Sequence, residues 1–162
     1  MIVTVALIVL WSSVLLMFHS YVLYPLVLRL FAIGKVPNTV VFDANDPVLP
    51  NVFIVFAVYN EEKVIREKLE GIFKTTYPLS KLKVYIGSDN SSDATNGIVE
   101  EFAAKYPQLV FFPYSNRNGK AQILNRLVNS IFEATGIQQN EVFVFTDANV
   151  MFTPTTIFEL AK

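Results

Sequence analysis

The sequence contains no cysteine, so it has no disulfide framework and no thiolate metal site. It also lacks an excess of basic charge. Lys and Arg number 13 against 14 Asp and Glu, a formal net charge of -1, whereas a general nucleic-acid binder needs a basic surface. No nucleic-acid partner is expected. Neither GxGxxG nor GxxxxGK[ST] occurs, so dinucleotide-binding and P-loop readings lack their signatures. No charged side chain precedes Arg29. A cleaved signal peptide would want a basic start and a small-residue cleavage site. Met1–Leu10 holds no Lys or Arg, and the bulky "HSYVLYP" offers no such site.

The chain instead begins with a long apolar run. Ile2–Phe18 alone carries eleven Leu, Ile, Val or Phe residues, worth roughly -3 to -6 kcal/mol toward membrane insertion. The uncharged stretch continues to Leu28, long enough to span about 30 Å of hydrocarbon as a helix, with Pro25 expected to kink or end it. Arg29 and Lys35 follow it, and nothing basic precedes it. The positive-inside rule then puts the N-terminus outside and the following residues in the cytoplasm, as a single-pass anchor in the cell (inner) membrane. His19, the sole histidine, falls within the anchor and reads as an interfacial or helix-packing residue. Residues 1–35 are thus assigned to a transmembrane anchor and juxtamembrane segment, and the Pro-bearing stretch 36–50 to a linker.

From residue 51 a rhythm sets in. "VFIVFAV" (52–58), "LKVYIGS" (82–88), "LVFFP" (109–113) and "VFVFT" (142–146) are short apolar runs of the kind that form buried strands. Between them, apolar residues recur at helical spacing: Val64, Ile65, Leu69, Ile72 and Phe73; then Ile98, Val99, Phe102, Ala103 and Tyr106; then Ile123, Leu124, Leu127, Val128, Ile131 and Phe132. Thr153-Pro154 has the form of a cap followed by proline at the first helical position. This alternation predicts an α/β unit with a mostly parallel sheet and helices on its faces. Ligands in such sheets bind beyond the carboxyl ends of the strands, near a topological switch point.

Four strand-end loops therefore matter. In "AVYNEE" Asn60 can cap the next helix, with Glu61 and Glu62 at its positive end, while Tyr59 is a flat surface on which a base could stack. In "GSDNSSDAT" Asp93 suits a helix cap. Asp89 stands before that cap and either accepts a hydrogen bond from an imide N–H or sugar hydroxyl, or simply forms the turn. In "YSNRNGKAQILN" Gly119 permits a tight turn. Lys120 opens the next helix, where a cation opposes the dipole unless an anion such as a diphosphate lies close; a solvated lysine is the alternative. In "TDANV" an extended chain would point residues 147 and 149 the same way. One carboxylate and one amide oxygen could then serve a hard divalent cation, although a plain turn is equally compatible.

Taken in order, "VFAVYNEE", "SDNSSDAT", "NRNGKAQILN" and "FTDANV" resemble the N-terminal half of a family 2 glycosyltransferase with the GT-A fold. The resemblance covers residues 51–162, and the leading "YVLYPLVL"-like helix is similar to that of membrane-anchored members. It implies a Rossmann-like, nucleotide-sugar-binding domain and inverting transfer of a sugar from a UDP- or GDP-linked donor. It further implies that Ala57, Tyr59 and Glu61 border the nucleobase and ribose, that Asp89 binds the base, and that Lys120 lies near the phosphates. Asp147 and Asn149 match the Asp-x-Asp motif that holds the ribose and a Mg²⁺ or Mn²⁺ ion. Asn149 departs from that motif: it replaces the second aspartate, so the site loses a charge and metal affinity is expected to be lower.

The resemblance places the catalytic base and the acceptor-side motifs downstream of Lys162. No catalytic residue is therefore assigned. The chain is expected to be an incomplete GT-A domain, truncated at its C-terminus, that supplies the donor-binding half and is inactive alone. A non-catalytic, membrane-anchored nucleotide-binding or interaction remnant is the alternative. Nucleotidyl transfer would require a basic, glycine-rich loop after the first strand, where "AVYNEE" is acidic.

Overall fold

The computed structural model describes residues 2–35, 46, 48–136 and 140–161. Most of the linker expected at 36–50 (36–45 and 47) lies outside them. The chain divides into two compact units, Met1–Thr39 and Val40–Lys162.

The first unit is one helix of 31 residues, Ile2–Ala32. It comprises α1 (Ile2–Phe18), a π-helical turn (His19–Leu23) and α2 (Tyr24–Ala32). At 1.5 Å per residue it is roughly 46 Å long, more than a bilayer core requires. By length and composition it can cross a membrane, although a signal sequence near an N-terminus meets the same two criteria. Pro25 neither ends nor interrupts it. The proline falls in the first turn of α2, and the wider turn before it carries the ladder, with the Tyr24 N–H bonded to the His19 carbonyl.

The second unit contains a four-stranded parallel sheet in the order β3-β2-β1-β4. Its strands are β1 (Asn51–Val58), β2 (Leu82–Asp89), β3 (Leu109–Tyr114) and β4 (Glu141–Phe145). The intervening helices are α3 (Ile65–Phe73), α4 (Thr95–Lys105) and α5 (Lys120–Thr135), with a short α6 (Thr156–Leu160) after β4. Every strand foreseen in the sequence is present. The apolar run of β1 is explained by its central place, because side chains alternate to both sheet faces and both are covered. Val52, Ile54, Phe56 and Val58 join the cluster under α3 and α4, with Ile65, Leu69, Ile72, Val99 and Phe102. Phe53 and Val55 point the other way, with Tyr85, onto Ile123, Leu127 and Ile131 of α5. Gly87 of β2 lets α5 sit flush on the sheet: a Cβ there would lie 2.3 Å from Ile123 Cγ2.

The last helix differs from expectation. Thr153 does not cap it and Pro154 is not its first residue; the helix begins at Thr156. Thr153 and Thr156 instead form a closed turn, with the Thr153 N–H donating to Thr156 Oγ1 at 2.9 Å and the Thr156 N–H to the Thr153 carbonyl at 3.1 Å. The neighbouring Pro154 carbonyl accepts the Thr76 N–H at 2.9 Å, which ties this turn to the end of α3.

Candidate functional site

Strand order locates the site. The chain runs outward from β1 through β2 to β3, then returns to place β4 on the other side of β1. The crevice between the carboxyl ends of β1 and β4 is thus the topological switch point. A cavity of about 260 Å³ opens there, lined by Ala57, Val58, Tyr59, Glu61, Asp89, Lys120, Asp147, Ala148 and Asn149. Every site residue inferred from the sequence lies on this one wall. A second groove of about 420 Å³ adjoins it and shares Lys120 and Asp147, with Leu124, Phe145, Thr146 and Val150 as its other lining residues.

The first two loops are zipped together. Asn60 adopts a left-handed conformation (φ 52°) and does not cap α3. Its side-chain oxygen accepts the Ser92 N–H at 2.9 Å, and its own N–H donates to Ser91 Oγ at 3.1 Å. The Glu61 N–H donates to buried Thr95 Oγ1 at 2.8 Å. Glu62 and Asp93 exchange bonds reciprocally: the Glu62 N–H donates to Asp93 Oδ2 at 3.1 Å, and Glu62 Oε2 accepts the Ala94 N–H at 3.0 Å. Asp93 also accepts the Thr95 N–H at 3.0 Å in a turn just ahead of α4, whose N-cap is Ala94 and not Asp93 as the sequence suggested. Partial burial pushes the Asp93 carboxyl up, but the hydrogen bonds it accepts outweigh this and hold it below the usual range. The polar residues of "YNEE" and "SSDAT" thus serve each other, which fixes the positions of Tyr59 and Glu61.

Asp89 reaches a third loop. It is nearly buried, and its two oxygens accept the N–H groups of Asn118 (2.6 Å) and Gly119 (3.0 Å). It does not form the local turn that the sequence allowed; it clamps the β3–α5 loop. Gly119 makes this possible with φ 83°, a region a side chain would strain. Directly after it, Lys120 begins α5 and donates from Nζ to Asp147 Oδ1. The anion that offsets this cation at a helix start is therefore supplied by the chain itself. Both partners remain about half exposed, so the pair contributes little to folding.

The Asp147-Ala148-Asn149 segment is not extended. β4 ends at Phe145, and the Val150 N–H folds back to the Asp147 carbonyl at 3.3 Å. Ala148 is tucked in at 3 % exposure, while Asp147 and Asn149 face outward at the cavity. Among the described residues no cluster of three His, Asp or Glu could cage a metal. One carboxylate and one amide oxygen beside an open cavity do fit a Mg²⁺ or Mn²⁺ ion that takes its other ligands from substrate phosphates and water.

Two residues passed over in the sequence belong to this region. Arg117 lays its guanidinium 3.8 Å from the centre of the Tyr59 ring. Nothing in "NRNGK" marks that contact. Lys68 is fully buried on α3 and donates from Nζ to Thr146 Oγ1 at 3.0 Å and to the Val150 carbonyl. Burial lowers its pKa to about 8, partly offset by the charge of Asp147. A signal for Lys68 existed: it lies three residues after Ile65 and four before Ile72, inside the apolar stripe.

The comparisons with known proteins agree with this architecture. The family described as Glycosyl transferase family 2 matches residues 53–162. A probable glycosyltransferase of Bacillus subtilis (strain 168), YdaM, is 38% identical over 80 residues, covering 48% of this chain and 19% of that protein. The mannosyltransferase PcManGT from Pyrobaculum calidifontis, solved in complex with GDP-Man and Mn²⁺, superposes with a TM-score of 0.64 at 28% identity, covering 89% of this chain and 41% of that one. S. aureus TarS 1-349 in complex with UDP-GlcNAc shares the fold, with a TM-score of 0.58 at 23% identity over 67% of this chain and 29% of that one. The chain thus spans about a fifth of the Bacillus relative and two fifths of the Pyrobaculum one. The parallel sheet and its helices are those of the GT-A fold expected from the motifs, and with the match running through all four strands the chain belongs to glycosyl transferase family 2.

Proposed function

We propose that residues 51–162 bind a nucleoside diphosphate sugar, UDP- or GDP-linked, in the cavity between the ends of β1 and β4, for inverting transfer to an acceptor. The observation that carries this reading is the convergence of four separate β–α junctions on one cavity, with Asp89, Lys120 and Asp147 along its wall. Ala57, Tyr59 and Glu61 border the base and ribose. Asp89 accepts from the base through lone pairs that the two loop amides leave free. Lys120 exchanges part of its contact with Asp147 for the incoming diphosphate. Asp147 and Asn149 hold a Mg²⁺ or Mn²⁺ ion, which supplies electrostatic stabilisation of the charge that develops on the departing diphosphate. The sugar becomes oxocarbenium-like as its leaving group departs. The Pyrobaculum complex with GDP-Man and Mn²⁺ supports the donor class and the metal.

Inverting transfer also needs a base for the acceptor proton. We assign that role to none of residues 51–162, so these residues alone bind donor without turning it over. The apolar helix Ile2–Ala32 anchors the protein in the cell membrane, and Arg29 and Lys35 set the nucleotide-binding unit on the cytoplasmic side.

Titration calorimetry of the full chain in detergent tests the reading. Saturable binding of UDP or GDP that strengthens by at least about a hundredfold with Mn²⁺ is expected, equivalent to about 2.7 kcal/mol. A sample with a cooperative melt that binds neither nucleotide, with or without Mn²⁺, overturns it in favour of an interaction remnant.

A further inference from the structure

A lysine side chain with no exposed surface, packed on a helix, is an expensive choice for packing alone. An apolar side chain of the same length would fill the space between Phe56 and Phe152 without desolvating an ammonium, and such replacements are often neutral or stabilising. What an apolar residue could not do is bond to both ends of one turn. Lys68 Nζ donates to Thr146 Oγ1 at 3.0 Å and to the Val150 carbonyl, the residues that flank Asp147-Ala148-Asn149 on either side. The same Nζ lies 3.9 Å from the centre of the Phe152 ring.

A second contact from the same helix acts with it. One turn along α3, Gly71 brings the helix so close to Phe152 that a Cβ would lie 2.9 Å from the Phe152 carbonyl oxygen. Ala148, at the centre of the turn, is buried against the core. The segment is thus held at its middle by packing and at its ends by one ammonium, nearly eighty residues distant in sequence.

We propose that Lys68 is a positioning residue for donor and metal binding: its ammonium bridges the two ends of the Thr146–Val150 turn and presents Asp147 and Asn149 to the cavity. The inference rests on the donor-site reading above. Lys68 touches no ligand. It acts through Thr146 and Val150, and its effect is selective for whatever Asp147 and Asn149 hold.

The test uses the full chain in detergent, as wild type, Lys68→Met and Thr146→Val. Affinity for UDP and GDP is measured with Mn²⁺ and with EDTA, alongside amide hydrogen exchange and the melt. In Lys68→Met, exchange within 146–150 rises while that of 52–58 stays as in wild type. Affinity with Mn²⁺ falls at least about tenfold, as expected when hydrogen bonds from a charged donor are removed, and affinity with EDTA changes by less than about twofold. A merely structural loss would lower both affinities together and accelerate exchange throughout the sheet, and that result overturns the proposal. Unchanged exchange in 146–150 or unchanged Mn²⁺-dependent affinity also overturns it. If wild type binds neither nucleotide, the donor-site reading fails and this proposal fails with it; binding by wild type that Lys68→Met fully retains overturns this proposal alone. Should Lys68→Met not fold, Thr146→Val decides, since it removes only one of the two partners: an about threefold loss of Mn²⁺-dependent affinity is expected, and no loss overturns the proposal.

Discussion

Asp147→Ala lowers Mn²⁺-dependent affinity for the donor nucleotide by at least about a hundredfold, about 2.7 kcal/mol, while leaving the melting temperature nearly unchanged. The two halves of this prediction come from different properties of one side chain. Asp147 is about half exposed and its bond to Lys120 is a surface ion pair, worth at most about 1 kcal/mol to folding. The turn around it is held by Ala148, Lys68 and its own backbone; none of them hydrogen-bonds to the carboxylate, and only the Lys68 ammonium draws on it, through its charge. Its negative charge, by contrast, is the only one on this turn, because Asn149 contributes an uncharged oxygen. Without Asp147, Lys120 also loses its counter-ion and attracts the diphosphate more strongly in the absence of metal. The mutation should therefore invert the preference: weaker binding with Mn²⁺, equal or stronger binding with EDTA. The reverse change, Asn149→Asp, should strengthen the Mn²⁺ dependence. Calorimetric titration in the two buffers, with a melt of each variant, checks all of these.

Asp89→Ala should behave in the opposite way, losing stability first. Asp89 is 5 % exposed, and its carboxylate is the acceptor for two consecutive backbone N–H groups, Asn118 and Gly119. Hydrogen bonds to a charged group contribute about 1.5–3 kcal/mol each, and removal of the acceptor leaves both donors without a partner. A loss of about 3 kcal/mol is expected after the loop relaxes toward water, which corresponds to a fall of roughly 6–12 °C in melting temperature for a chain of this size. Nucleotide affinity falls as well, because Lys120 follows Gly119 directly and its position depends on the clamp. Asp89→Asn keeps one oxygen acceptor and should lose about half as much. Thermal melts in detergent, with amide exchange at residues 115–120, measure the effect; an unchanged melt for Asp89→Ala would show that the clamp contributes little.

The contrast between these two aspartates indicates what a sequence conveys. Strands were legible because β1, buried on both faces, must be apolar throughout, and because the helices repeat their apolar residues every three or four positions. The cavity was legible because a parallel sheet exposes its ligand-binding loops at one end. What single loops could not convey was how they pair. Asn60 and Asp93 each look like helix caps when read alone. In the structure Asn60 bonds to Ser92 and Glu62 bonds to Asp93, so that two loops some thirty residues apart satisfy one another. Asp89 reads as a ligand acceptor or a turn former, and its clamp shows only when Asn118 and Gly119 are brought to it by the β3–α5 return. At Asp147 the sequence is compatible with either an extended chain or a turn; Lys68 and Ala148 decide it, bending the segment back into the protein. Tertiary contacts of this kind leave little local trace, and Lys68 left the clearest one, a charge in the middle of an apolar stripe.

The central claim is that one ligand is surrounded by all four loops at once, and the most direct test is paramagnetic. With Mn²⁺ and the preferred nucleoside diphosphate bound to isotope-labelled full chain in detergent, distance-dependent broadening should appear together at residues 57–61, 89, 118–120 and 147–149. It should be weakest at the opposite ends of the strands, at residues 51–53, 82–84 and 141–142. Broadening confined to one loop, or centred on those opposite ends, would contradict the account.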